Sequence, residues 1–117
     1  MLEHIDFKTF KEKVMYIDPN KNMKFKGELP TIIDFSADIW CHPCRMLSPI
    51  LEKLQKEYEG KINIYKVDVD EEEEMSLLFN IRSVPSLLFC KNENPPQMNI
   101  GALSEFKLKK IIEEILL

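Results

Sequence analysis

The chain has 117 residues, which is room for about one domain and one core. Apolar residues make up 44% and charged residues 31%, an ordinary globular balance that excludes a disordered or fibrous chain. The net charge of −4, with basic residues dispersed among acids, argues against nucleic acid as a partner, and no apolar run reaches the length of a membrane span.

The opening Met1-Leu2-Glu3-His4-Ile5-Asp6 lacks a basic segment followed by an apolar one. It does not read as a secretory leader, so the cytoplasm is the expected location, or an exported one if a leader has been trimmed. Phe7, Phe10 and Val14 recur at i, i+3 and i+7 among Lys8, Lys11, Glu12 and Lys13, predicting a short amphipathic helix over 6–15. Residues 18–28 are polar and turn-rich and read as a loop holding a brief edge strand at Met23–Lys26. Leu29 to Phe35 is a nearly continuous, β-branched apolar run interrupted at Asp34, which fits a central parallel strand covered on both faces.

A helix is predicted over 42–59, with Leu47, Ile50, Leu51, Leu54 and Tyr58 on one stripe, a kink at Pro49 and a stop at Gly60. Ile62 to Val69 alternates as a second strand. Asp70 to Asn80 reads as a short helix whose acidic start, Glu71 to Glu74, complements its dipole as a solvated end. Ser86–Cys90 and Gln97–Ile100 form a last pair of strands around the turn Lys91–Pro96, with Pro95 and Pro96 limiting the second to an edge. Ser104 caps a final helix carrying Leu108, Ile111, Ile112, Ile115 and Leu116. The order is that of an α/β fold, one sheet flanked by helices, in a single domain over 1–117.

Three cysteines are too few, and odd in number, for a disulfide framework. Cys90, in an apolar run, is expected to be a small buried hydrophobe rather than a regulatory thiol. Cys41 and Cys44 form a Cys-x-x-Cys, which could be a zinc half-site or a redox dithiol. Structural zinc asks for four N or S ligands, and His4 and His42 do not obviously complete a site with Cys90, so no metal is expected.

Position favours the dithiol. The motif falls between a buried strand and a long helix, which places Cys41 at a helix N-terminus where free N–H groups and the dipole stabilise thiolate. Pro43 suits the first helical turn, and Cys44 lies on the same face but deeper. That fits an exposed attacking Cys41 and a sheltered resolving Cys44, working through a mixed disulfide. A carboxylate within Ile32-Ile33-Asp34-Phe35 is expected to be buried, its pKa raised, and able to accept a proton from Cys44 directly or through water. The plainer reading of Asp34 is a strand-end residue bonded to a loop amide. Val84-Pro85 is either a simple strand start or a cis-proline, and pattern alone favours the former.

Taken together, Asp34-Phe35, Trp40-Cys41-His42-Pro43-Cys44, Pro49, Lys66, Ile81 to Pro85 and Gly101-Ala102 resemble the thioredoxin family in order and spacing, over roughly residues 30–117. The resemblance implies a thioredoxin fold, a central mixed β-sheet with helices on both faces, and a cis peptide before Pro85. It implies Cys41 as nucleophile, Cys44 as resolving thiol, and Asp34 as buried proton acceptor with Lys66 as its charge partner. Trp40, Val84, Pro85, Gly101 and Ala102 would form the apolar surface that receives an extended substrate segment, bonded to backbone beside Val84. His42 and Pro43 would border it. The implied activity is that of a protein-disulfide reductase with no bound cofactor, acting on protein disulfides as a monomer and recharged by a separate NADPH-dependent reductase.

Three positions depart from the family pattern. His42 stands where glycine is usual, and its imidazolium would favour the Cys41 thiolate and a more oxidising pair. Asp38-Ile39 lengthens the interval before Trp40 by one residue. Ser36 replaces an aromatic residue and is expected to open Asp34 to water. The rival readings are an exported disulfide oxidant or isomerase, motivated by His42, and a thioredoxin-fold module that only binds a partner.

Overall fold

In the computed structural model, which describes residues 2–92 and 94–117, the chain begins with β1 (Glu3–His4), α1 (Phe7–Lys13), β2 (Met15–Ile17) and β3 (Met23–Phe25). It continues through β4 (Thr31–Ser36), α2 (His42–Glu57), β5 (Asn63–Asp68) and α3 (Glu73–Leu78). β6 (Ser86–Cys90), β7 (Gln97–Ile100) and α4 (Glu105–Ile111) complete it, α4 running on as a π-helix over Ile112–Leu116.

Five strands form one sheet in the order β1-β5-β4-β6-β7. β4 pairs parallel with β5 and antiparallel with β6, so the sheet is mixed, and all six β4 residues are buried. Alternate side chains leave a strand on opposite faces. Ile32, Ile64, Leu87 and Phe89 meet Leu47, Leu51 and Leu54 of α2 and Leu108 and Ile112 at the C-terminal helix. Ile33, Phe35, Val67 and Leu88 meet Phe10 of α1 and Met75 of α3 on the other face, with Phe79 edge-on to Phe10 at 5.6 Å. Asp34 shares the parity of Ile32 and therefore belongs to the α2 face.

Local chemistry sets the helix starts. The Asp6 carboxylate accepts the Thr9 N–H at 2.8 Å, and the Ser104 hydroxyl accepts that of Lys107 at 3.2 Å. Gly60, at φ +81°, takes the left-handed conformation that turns the chain from α2 towards β5. α2 continues through Pro49, with Leu47, Leu51 and Leu54 on its buried stripe.

The amino-terminal part differs most from the sequence reading. The helix predicted over 6–15 ends at Lys13, and Met15–Ile17 pairs with Met23–Phe25 as a separate antiparallel hairpin, not as the edge of the main sheet. β1 was not legible at all: its two residues pair parallel with Tyr65 and Lys66 of β5. The third helix is shorter than the predicted Asp70–Asn80, beginning at Glu73. β7 is an edge strand, as its prolines require, while Glu93 in the predicted turn Lys91–Pro96 lies outside the described residues, as does Met1. No helix among the described residues is long and apolar enough to cross a membrane.

Candidate active site

β4 ends at Ser36 and α2 begins at His42, so residues 37–41 are the short connection on which the chemistry sits. It is a tight turn: the Ala37 carbonyl accepts from Trp40 N–H at 3.2 Å and from Cys41 N–H at 2.9 Å. Arg45 clasps it from α2, donating to the carbonyls of Asp38 at 2.7 Å and Ile39 at 3.3 Å. Ile39 of this turn points to solvent at 88% exposure.

Cys41 is the N-cap of α2 and is joined to Cys44 by a disulfide across a Cα–Cα distance of 5.3 Å. The Cys44 N–H donates to Cys41 Sγ at 3.2 Å, the contact that would stabilise a thiolate there. Cys41 Sγ also lies 3.7 Å from the Val84 carbonyl oxygen. The sulfurs pack with Ala37, Val69 and Val84, and Cys41 is only 4% exposed against 0% for Cys44. The expectation of an exposed Cys41 is corrected here: in the disulfide form it is buried like Cys44, because Ala37, Val69 and Val84 pack around both sulfurs.

The Val84-Pro85 peptide is cis, as the resemblance implied and the pattern alone did not favour. Pro85 is buried, Val84 half-buried, and the Pro85 carbonyl accepts the Gly101 N–H at 2.8 Å. Gly101 sits at φ +98°, where a side chain would be strained, and Ala102 beside it is exposed. Trp40 is 61% exposed, and its indole N–H donates to Asp70 Oδ2 at 2.8 Å. His42 and Pro43 are exposed in the first turn of α2. Trp40, Cys41, Val84, Pro85 and Gly101 are thus tied together by contacts between residues far apart in sequence.

Asp34 is completely buried, and neither carboxylate oxygen has a hydrogen-bond partner. Burial pushes its pKa from 3.8 up to about 7, with the positive charge of Lys66 opposing the rise and Asp38 adding to it. One expectation is corrected here. Ser36 is itself 2% exposed, and Asp34 is not opened to water, because β4 is covered on both faces. Lys66 acts on Asp34 through space, while its ammonium bonds the Asp38 carboxylate and the Ser48 hydroxyl.

Asp38, Ser48 and Asp70 are the participants that sequence reasoning missed. Ser48 is one helical turn beyond Cys44 and donates to its carbonyl at 3.1 Å, a relation spacing could have suggested. Asp70 is 30 residues from Trp40, and no local pattern signals that bond. Cys90 is buried in the core on the α1 face, where burial pushes its thiol up to about 12 and keeps it protonated. Among the described residues no group of three His, Cys, Asp or Glu is arranged to hold a metal ion.

Comparison with known proteins agrees with this geometry. The thioredoxin family model matches residues 8–114. A thioredoxin of Borreliella burgdorferi is 43% identical over 105 residues, covering 90% of this chain and 89% of that protein. Thioredoxin 1 of a Nostoc species is 34% identical over 106 residues, covering 91% and 89%. In fold, the chain superposes on chloroplastic thioredoxin z with a TM-score of 0.80 at 24% identity, over 97% of this chain and 93% of that one. With its cysteine pair bonded at the head of α2, the chain belongs to the thioredoxin family of thiol-disulfide oxidoreductases.

Proposed function

We propose that Cys41 attacks and Cys44 resolves in the reduction of protein disulfides, with Asp34 as the group that takes the Cys44 proton. The reading is carried by the Cys41 sulfur, which caps α2 beside the Val84 carbonyl while accepting the Cys44 N–H. In the dithiol form the Cys41 thiolate displaces one sulfur of a substrate disulfide, giving a mixed disulfide and one substrate thiolate. Cys44 loses its proton to Asp34, directly or through water, and its thiolate attacks Cys41 Sγ. The second substrate thiolate leaves, the substrate has gained two electrons, and Cys41–Cys44 is the disulfide seen here.

A substrate segment lies extended against Val84, Pro85, Gly101 and Ala102, with Trp40, His42 and Pro43 bordering the cysteine, and bonds the backbone beside Val84. Lys66 supplies positive charge to the buried end of the site. Electrons return from a separate NADPH-dependent reductase, and the protein works as a cytoplasmic monomer built from one domain over 1–117.

The test is reduction of insulin with dithiothreitol as donor. Cys41→Ser is expected to abolish turnover, whereas Cys44→Ser accumulates the mixed disulfide on Cys41. The potential of the pair, equilibrated against glutathione, is expected near about −270 mV. A value of about −200 mV or above would replace the reductase reading with that of an oxidant or isomerase.

A further inference from the structure

Lys66 on β5 is in register with Asp34 on β4, so two oppositely charged side chains start from adjacent positions on one face of the sheet. A buried ion pair is the simple outcome of that register. The chain forms a different one. The Lys66 ammonium is drawn to Asp38, in the turn after β4, and to Ser48 on α2. Ser48 extends the chain of contacts by donating to the carbonyl of Cys44.

The choice has a physical basis. Asp38 Oδ1 is buried without a partner while Asp38 Oδ2 is held by the Lys66 ammonium, and the side chain as a whole is 41% exposed, whereas Asp34 is completely buried with neither oxygen bonded. One cation stands near two carboxyls, and it bonds Asp38 while burial raises the pKa of Asp34. Arg45 holds the Asp38 backbone in place through the carbonyl at 2.7 Å.

We propose that Asp38 and Ser48 are positioning residues that hold the Lys66 ammonium off Asp34 and so set the range over which Asp34 exchanges its proton. Their use in turnover rests on the reading of Asp34 as proton acceptor given under the proposed function. The other groups around Asp34 do not compete for this role. β6 opposes it with Leu87, the C-terminal helix packs Leu108 and Ile112 onto this face, and Cys44 of α2 is held in the disulfide.

The experiment follows the Asp34 carboxyl carbon by NMR through a pH titration of the disulfide form, the resonance being identified by its loss in Asp34→Asn. The wild-type midpoint is expected at about 7. Asp38→Asn frees the ammonium to turn to Asp34, and the midpoint falls by about one pH unit or more, a tenfold or greater rise in the ionisation constant. Asp38→Glu restores a midpoint close to wild type. Ser48→Ala removes no charge, and a fall there that disappears in the Lys66→Met background passes through Lys66.

Asp38→Asn also removes a negative charge that acts on Asp34 through space, and a Lys66→Met background isolates that contribution. The fall is expected to be larger with Lys66 present than with Met. An equal fall in both backgrounds, or unmoved midpoints in Asp38→Asn and Ser48→Ala, would overturn the proposal. The titration involves no turnover. Unchanged insulin reduction by Asp34→Asn would instead defeat the acceptor reading.

Discussion

Replacing Asp34 with Asn should make the disulfide form more stable as the pH rises, by an amount the structure sets. The carboxyl is 0% exposed and both its oxygens lack a partner, so the fold disfavours its charge. In the unfolded chain it ionises near 3.8, while in the folded protein burial holds the proton up to about 7. Between those values the folded state binds the additional proton. The stability Asp34 contributes is therefore complete below the unfolded value and is lost as the pH rises through the folded one. A shift of about three units, at about 1.4 kcal/mol each, is on the order of 4 kcal/mol.

Asn has nearly the same shape and no titration, so the difference between the two proteins isolates this group. Urea unfolding of both disulfide forms, from about pH 4 to about pH 8.5, should show the variant gaining on wild type by that amount. Titrating groups away from Asp34 cancel in the difference, while Lys66 and Asp38, which act on it through space, do not. A difference that stays flat with pH would refute the reasoning, because Asp34 would then ionise alike in the folded and unfolded chains.

Three further outcomes follow from contacts in the structure. Leu51→Ala opens a cavity where α2 meets the sheet, and chemical unfolding should show a loss of about 2–5 kcal/mol with little change in the potential of the cysteine pair. Asp70→Ala removes the acceptor of the Trp40 indole, which is the single tryptophan. Its emission should shift, and KM for a protein disulfide should rise by up to about fivefold with kcat nearly unchanged, matching an exposed bond of about 1 kcal/mol. His42→Gly removes the imidazole next to Cys41 at the head of α2, so glutathione equilibration should give a potential lower by about 10–30 mV. A rise in the potential would contradict that role for His42.

Strongly periodic segments were legible in the chain by itself. The apolar run containing Asp34 is a six-residue buried strand, and the stripe of Leu47, Leu51 and Leu54 is the inner face of α2. The order of elements, the cap at Ser104 and the placement of Cys41 at a helix start follow from patterns only a few residues long, which are properties of local sequence. Burial of Asp34 was also readable, because a carboxylate inside a run of β-branched residues shares the fate of its neighbours.

Tertiary structure decided the rest, for reasons of distance. A two-residue strand such as β1 has no period, and only the free edge of β5 makes it a strand. Met15–Ile17 looked like the end of a helix until Met23–Phe25 returned to pair with it. The strand register alone would join Lys66 to Asp34. A flexible four-carbon side chain goes instead to Asp38, in the turn beyond β4, and to Ser48 of α2. Which of two acids carries the charge is a question of burial, and burial is complete only when α2 has closed over the sheet.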